Sequence, residues 1–202
     1  WNNAHGVKVF RVTSCLFPWA SEYRLEDLPD FTAIAASLQR AGALAKLYGQ
    51  RITTHPGPFN KLTSPTPHVV ANTIVDLENH GRIFDLMGLP RTPYAKINIH
   101  VGAHYNNKPM AVDNFCRNFE RLSESVKSRL TVENDDKESM FSSKMLYEGV
   151  YKQIGIPIVF DYHHHKFCTG DLSEQEALEL AISTWPKGIK PIVHYSESKA
   201  LH

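Results

Sequence analysis

Short runs of β-branched and apolar residues alternate with longer amphipathic stretches along the chain. The short runs predict strands over Val7 to Val12, Arg51 to Thr54, Ala95 to Val101, Leu130 to Glu133, Pro157 to Phe160 and Lys190 to His194. The longer stretches predict helices over Asp30 to Tyr48, Pro67 to Met87, Asp113 to Ser128, Ser139 to Gln153 and Ser173 to Thr184. This alternation indicates βα units and a parallel sheet.

Polar residues follow the ends of nearly every predicted strand, whereas no glycine-rich phosphate turn follows the first one. A doubly wound sheet fits the alternation too, but it usually carries such a turn. A TIM-type barrel instead gathers catalytic groups from the ends of several strands. We therefore predict an α/β chain, with residues 1–202 forming a single TIM-type (β/α) barrel domain.

About six βα units are visible, and a closed barrel of this type usually has about eight strands. The chain also opens on Trp1 and stops at His202, shortly after a predicted strand. On these grounds we expect a fragment in which about one unit is missing at each end of the barrel.

The composition narrows the class of protein further. Hydrophobic residues make up 42% and charged residues 21%, which is typical of a globular protein and unlike disordered, fibrous or membrane chains. The longest apolar runs, such as Ile156 to Phe160, are too short to span a bilayer, and no leader pattern opens the chain. We expect a cytoplasmic, nucleoid-associated monomer without a membrane partner.

The net charge argues against a strongly basic nucleic-acid-binding chain, and the cysteine content argues against disulfides and a thiolate zinc site. The net charge of +1 gives no overall electrostatic attraction to nucleic acid, so any DNA affinity must come from local patches. Cys15, Cys116 and Cys168 lie far apart without CxxC spacing, which predicts free thiols rather than disulfides or a thiolate zinc site.

Successive predicted strands end in residues of metal-ligand type. A single histidine at a strand end is usually structural, but here the pattern recurs at His55, His100, Glu133, Asp161 and His194. Imidazole and carboxylate ligands without thiolate suit Zn, Mn or Fe. Paired metal ions recur in enzymes that cleave phosphodiesters, because they generate hydroxide and stabilise the leaving oxygen. The pattern therefore predicts a metal cluster and hydrolysis at phosphorus.

The spacing of Asp161 and His164 lets both side chains reach one site if the chain turns directly after the strand. His163 and His165 would then point elsewhere, as supporting donors or as exposed residues.

A series of short motifs runs along almost the whole chain. It comprises Phe10 to Ser14 with Leu16 to Pro18, His55 to Gly57, His100 to Gly102 with Tyr105 and Lys108, Leu130 to Asp136, Asp161 to His165, and His194 to Ser196. In this order the motifs resemble those of the UV-damage endonucleases. That family is a TIM-barrel relative of the endonuclease IV group. The resemblance implies two or three divalent transition metal ions, commonly manganese with zinc as the alternative, and incision of damaged double-stranded DNA 5′ to pyrimidine dimers.

The resemblance also assigns roles to individual positions. Glu133 is implied as a bridging ligand and catalytic residue, and Lys108 as a second catalytic residue. The other implied metal ligands are His55, His100, Asp161, His164 and His194, with His202 as a further candidate. The residues implied in DNA or lesion binding are Phe59, Pro58, Tyr105, Lys108, Trp19 and Arg11.

The chain departs from the family pattern at several positions. Pro58 and Phe59 stand where the family places a Gln-Tyr pair that probes the distorted duplex, and Glu22 replaces a family histidine. Ile192 occupies the position of a modifiable lysine, with Lys190 two places before it. A distal carboxylate ligand is not in the chain. We expect these changes to affect metal loading, lesion preference or activity.

Two other functions remain open on the sequence alone. A sugar isomerase or epimerase of the same architecture holds one divalent ion with about four ligands, whereas more candidates are present here. A non-catalytic lesion-binding homologue fits the Pro58 substitution. The fold by itself does not separate these alternatives.

Overall fold

The computed structural model describes residues 1–196, so the predicted ligand His202 lies outside the described residues. Five parallel strands form one sheet in chain order, as an α/β chain built from βα units requires. The strands are β1 (Val9–Val12), β2 (Arg51–Thr54), β3 (Ile97–His100), β4 (Leu130–Glu133) and β5 (Ile158–Val159).

The helices lie between the strands, as the apolar periodicity predicts. They are α1 (Phe31–Leu47), α2 (Pro67–Leu86), α3 (Lys108–Phe119), α4 (Glu124–Lys127), α5 (Ser143–Leu146), a π-helical turn (Tyr147–Tyr151), α6 (Lys152–Ile154), α7 (Tyr162–His165) and α8 (Glu174–Ser183). Short 3-10 turns cover Asn3–His5, Leu25–Asp27 and Pro93–Ala95. Among the described helices, none has the length and hydropathy needed to cross a membrane.

The prediction of one helix from Asp113 to Ser128 is wrong in its bounds. The helix starts earlier because the side chain of Asn107 caps it, accepting a 3.0 Å hydrogen bond from the backbone N of Met110. It ends at Phe119, and a separate helix starts after Ser123. Glu78 on α2 fixes this break, because its carboxylate accepts hydrogen bonds from the backbone N and Oγ of Ser123.

The predicted sixth strand, Lys190 to His194, is reduced to a single parallel bridge between Asp161 and His194. The backbone N of His194 donates to the carbonyl of Phe160 at 2.8 Å, and the N of Tyr162 donates to the carbonyl of His194 at 3.1 Å. These bonds place the sixth segment beside β5 and extend the parallel order of the sheet by one position.

The sheet is strongly curved, as a barrel requires. In a flat sheet, β2 and the sixth segment would lie four strand spacings apart, or about 19 Å. The buried guanidinium of Arg51 on β2 nevertheless donates hydrogen bonds to the carbonyl of Lys190 at 2.5 Å and to that of Pro93 at 2.9 Å. At the other end of the strands, the rings of His55 and His194 are 6.0 Å apart. The curvature therefore brings distant strand ends to one mouth.

Candidate metal centre

Glu133 lies at the centre of the mouth and is 2% exposed. Its Oε2 atom is 3.2 Å from Nε2 of His55 and 2.9 Å from Nδ1 of His194. Its Oε1 atom is 3.4 Å from Nδ1 of His164 and 4.0 Å from Nε2 of His100. Four imidazoles thus surround one buried carboxylate.

The strands place these side chains together at the carboxyl edge of the sheet. His100 pairs directly with Glu133 in the parallel register of β3 and β4, and His55 follows the last residue of β2. Asp161 comes after β5 and faces His194 across the isolated bridge. Because all the strands run in the same direction, their carboxyl ends meet at one edge.

The turn predicted after Asp161 is the short helix α7. Its first turn is capped by the side chain of Asp161, whose Oδ1 accepts a 2.9 Å hydrogen bond from the backbone N of His164. His163 and His165 point elsewhere, as expected from the spacing. His163 packs against Phe167, and His165 is buried against Phe160 rather than exposed.

The electrostatics keep Glu133 ionised. Burial alone would raise its pKa, but hydrogen bonds from His194 and His55 outweigh burial and hold the pKa well below the usual range. Burial lowers the pKa of His194, which favours the neutral imidazole. Burial also opposes protonation of His100, but the nearby Asp135 carboxylate raises the pKa of that ring. Asp135 Oδ1 lies 3.1 Å from His100 Nδ1, although the angle is poor for a hydrogen bond.

The arrangement fits metal ions. Two groups of ligand atoms each lie within 4.8 Å of one another, namely His55, His100 and Glu133, and Glu133, Asp161 and His194. Bonds of about 2 Å place the ligands of one ion about 3 to 4 Å apart, so small side-chain adjustments complete either group. Because both groups share Glu133, the geometry suits a bridged pair. His164 lies beside the groups, in contact with Glu133.

The polar residues that support Glu133 from below were not predicted from the sequence. Asn98 is fully buried and its Nδ2 donates a hydrogen bond to Glu133 Oε2, while Thr131 Oγ1 donates to Asn98 Oδ1 at 2.8 Å. The available signal was an asparagine in the middle of an apolar strand, Ile97–His100. A buried polar residue at such a position needs a polar partner.

Lys96 was also missed. Its Nζ lies 3.1 Å from Nε2 of His194, and the residue is 1% exposed. Burial lowers the pKa of Lys96 to about 7. The amine beside His194 thus comes from Lys96, the residue before β3, and not from Lys190, whose carbonyl contacts Arg51. Glu22 pairs with Asn72 instead of joining the cluster.

Five of the six residues implied in DNA or lesion binding are exposed, and Lys108 is half-buried. The side chain of Phe59 is 86% exposed and that of Trp19 is 81% exposed, while Pro58, Tyr105 and Arg11 also contact solvent. The turn that presents Phe59 is fixed by Asn60, whose Nδ2 donates to the carbonyl of Gly57 at 3.2 Å and to Asp76 Oδ2 at 2.7 Å. A solvent-facing aromatic ring, that of Phe59, is therefore available four residues after His55.

The structure places Lys108 at the start of α3 and half-buried. Its Nζ lies 3.5 Å from Sδ of Met145 and 5.9 Å from the ring centre of Phe141, over a groove between α3 and α5. These contacts hold the ammonium over the groove.

The chain is similar to known DNA repair proteins. A sequence model of the family described as UV-endonuclease UvdE matches residues 1–201. A UV-damage endonuclease of Neurospora crassa is 37% identical over 98% of this chain and 31% of its own length. A UV DNA damage endonuclease of Bacillus cereus strain G9842 is 35% identical over 99% of this chain and 62% of its own length. The chain thus spans less than two thirds of these relatives.

Solved structures share the fold. A crystal structure of SacUVDE superposes with a TM-score of 0.86 at 32% identity, covering 98% of this chain and 65% of that one. A D-psicose 3-epimerase from Clostridium cellulolyticum H10 superposes with a TM-score of 0.66 at 13% identity, covering 91% of this chain and 62% of that one. The second likeness concerns the barrel architecture alone.

Proposed function

The chain belongs to the UV-endonuclease UvdE family, and from that premise we propose that the protein is a metal-dependent DNA repair endonuclease. It nicks one strand of duplex DNA immediately 5′ to a UV photoproduct. One observation carries the proposal: an ionised, buried Glu133 lies among four histidines at the carboxyl edge of a parallel barrel. Catalytic groups of such barrels come from the ends of several strands.

The proposed cofactor is a cluster of at least two divalent transition metal ions, with manganese as the first candidate and zinc as the second. The residues that would hold it are His55, His100, Glu133, Asp161, His164 and His194. When bound, such ions would supply the Lewis acidity that phosphodiester hydrolysis needs. Glu133 supports a shared position because its two oxygens face different histidines.

The protein's own residues prepare this site. The hydrogen bond from Asn98 fixes the Glu133 side chain, and the hydrogen bonds from His194 and His55 keep the carboxylate ionised despite its burial. Side chains held before substrate arrives do not have to be reoriented during the reaction, which lowers the barrier. The polar floor formed by Asn98 and Thr131 is therefore part of the proposed machinery.

The proposed substrate is damaged double-stranded DNA. A lesion lowers the cost of bending the duplex and removing bases from the stack. Phe59 has the exposure needed to fill the space left behind, whereas Pro58 has no donor with which to probe a base edge. Arg11, Tyr105, Lys108 and Trp19 are the proposed backbone or lesion contacts. A monomer acting in the cytoplasm at the nucleoid fits this substrate.

The test offers the full-length, manganese-loaded protein three labelled duplexes, with a pyrimidine dimer, an abasic site or no damage. We expect a single nick 5′ to the dimer and little cutting of the undamaged control. Preferential cutting at the abasic site would move the assignment toward an endonuclease IV activity. Binding to the dimer without cutting any duplex would identify a non-catalytic lesion-binding homologue.

A further inference from the structure

Asn134 directly follows Glu133 and is fully buried. Its side-chain amide makes two hydrogen bonds with the backbone of a single residue, Asp161. The Oδ1 atom accepts from the backbone N of Asp161 at 2.8 Å, and Nδ2 donates to the carbonyl of Asp161 at 3.1 Å. Both polar atoms of the amide thereby bond to the backbone of one candidate ligand.

This pairing continues the sheet where its backbone ladder stops. The final residue pair between β4 and β5 is Glu133 with Val159. Beyond it, the Asn134 amide offers one donor and one acceptor, as a peptide group does. Asp161 in turn forms the bridge to His194, so the amide also stabilises the sixth segment. One side chain therefore connects β4 to two segments that carry candidate ligands.

The backbone of Asn134 acts on a third candidate ligand. Its carbonyl oxygen lies 2.9 Å from Nδ1 of His164, closer than the 3.4 Å that separates the same nitrogen from Glu133 Oε1. A carbonyl can only accept, so this bond requires the proton on Nδ1. The Nε2 atom of the neutral ring is then unprotonated, which is the form that binds a metal ion.

We infer that Asn134 is a positioning residue, which sets the backbone of Asp161 and the tautomer of His164 for metal binding. This inference rests on the metal centre of the proposed function. Asn134 does not itself need to touch the metal or the DNA. It acts through residues on two other segments, Asp161 with His164 and, through the bridge, His194, and its effect is therefore on metal affinity and coordination geometry.

The test compares Asn134→Asp with a matched control, Asn79→Asp. The Asn134 change keeps the acceptor for the backbone N of Asp161 but replaces the donor with an oxygen facing the Asp161 carbonyl. Asn79 is also buried and bonded to backbone, accepting from Leu25 N at 3.1 Å and donating to the Ala20 and Tyr23 carbonyls. Both changes remove a buried donor, but the three bonds of Asn79 lie outside the proposed ligand set.

The measurements are manganese affinity of the metal-free proteins, the visible absorption spectrum of the cobalt-loaded proteins, and thermal unfolding. For Asn134→Asp we expect manganese affinity to fall about 10- to 100-fold, the usual effect of residues that orient ligands, with a shifted cobalt spectrum. For Asn79→Asp we expect an equal or larger loss of thermal stability with unchanged metal affinity. Wild-type manganese affinity and a wild-type cobalt spectrum in Asn134→Asp would overturn the inference. An equal loss of manganese affinity in both variants would also overturn it.

A second measurement uses the wild-type protein alone, so it does not depend on whether a variant folds. Nitrogen-15 NMR of the metal-free wild-type protein should show His164 protonated on Nδ1, and protonation on Nε2 alone would overturn the inference. The outcomes also separate this inference from the proposed function. If lesion-containing DNA is not cut but Asn134→Asp still weakens manganese binding selectively, the positioning role stands and the nuclease assignment fails.

Discussion

Glu133 and His194 meet at 2.9 Å between Oε2 and Nδ1, although they lie on β4 and on the segment beyond β5. The contact joins the middle of the sheet to the last described segment. His55 reaches the same oxygen at 3.2 Å, while His164 and His100 face the other oxygen, Oε1. The bridging position that we propose for Glu133 follows from these contacts on both of its oxygens.

Removing the charge of Glu133 should abolish the metal centre without unfolding the protein. Glu133→Gln keeps the shape of the side chain and an oxygen that accepts from Asn98. Loss of a residue that only orients a ligand lowers metal affinity by about 10- to 100-fold. Because Glu133→Gln removes a direct ligand, we expect a larger fall in manganese affinity. Metal analysis after dialysis and circular dichroism measure the two effects.

The control is Glu120→Gln, which removes an equal charge from an exposed pair with Lys127. Exposed pairs contribute at most about 1 kcal/mol, so metal content and fold should both be unchanged. Wild-type metal content in Glu133→Gln would show that Glu133 is not a ligand.

Truncating Phe59 should weaken recognition of damaged DNA more than it slows strand cleavage. Stacking of a base on an aromatic ring contributes about 1 to 3 kcal/mol, so Phe59→Ala should lower the preference for damaged over intact duplex by about 5- to 150-fold. Single-turnover cleavage of bound lesion DNA should change less. Phe59→Leu retains an apolar wedge and should keep part of the discrimination, and Pro58→Gln should sharpen it by restoring a hydrogen-bonding probe. Equal losses in binding to both duplexes would contradict this role.

Lys108 should contribute one phosphate contact. If so, Lys108→Ala reduces the slope of log affinity against log salt by about 0.9 and weakens binding to all duplexes alike. Lys127→Ala, on a helix face where Lys127 pairs with Glu120, is the matched control and should leave the slope unchanged. An unchanged slope in Lys108→Ala would mean that its ammonium stays over Met145 and Phe141 in the complex.

The stability of the barrel should depend on pH through Asp85. Burial alone would raise the pKa of Asp85, but hydrogen bonds from Arg91 and Arg129 lower it to about 2, below the ordinary 3.8. The stabilisation is therefore present above about pH 4 and is lost as the pH falls toward 2. Asp85→Asn should lower the free energy of unfolding by about 2 kcal/mol near neutral pH. Breaking a fully buried ion pair lowers it by about 3 to 5 kcal/mol.

Urea unfolding at pH 6 and at pH 3 measures this dependence. The difference in unfolding free energy between the wild type and Asp85→Asn should shrink at the lower pH. A difference that is constant or grows on acidification would contradict the proposed ion pair with Arg129.

The sequence predicted the elements whose periodicity is strong and local. The strand from Leu130 to Glu133 and the helix beginning at Pro67 have the expected limits, because buried strands and amphipathic helices leave clear patterns. The break after Phe119 was not predictable, since it depends on Glu78 from a different helix. The bridge at His194 likewise depends on partners far away in the chain.

The candidate ligands were predictable because residues of ligand type recur at strand ends. The supporting residues Lys96, Asn98 and Asn134 were not identified. Barrel curvature brings Lys96 to His194, whereas the register of neighbouring strands brings Asn98 to Glu133 and Asn134 to Asp161. Residue type alone does not distinguish such a buried polar group from an ordinary surface residue.

The most direct test measures single-turnover nicking of a dimer-containing duplex while manganese is added to the metal-free protein. We expect no nicking in chelator and a rate that rises with bound manganese, levelling off only after at least two ions per chain. Glu133→Gln should remain inactive throughout the titration. A nicking rate that is equal in chelator and in manganese, or wild-type nicking by Glu133→Gln, would contradict a metal-dependent nuclease centred on Glu133.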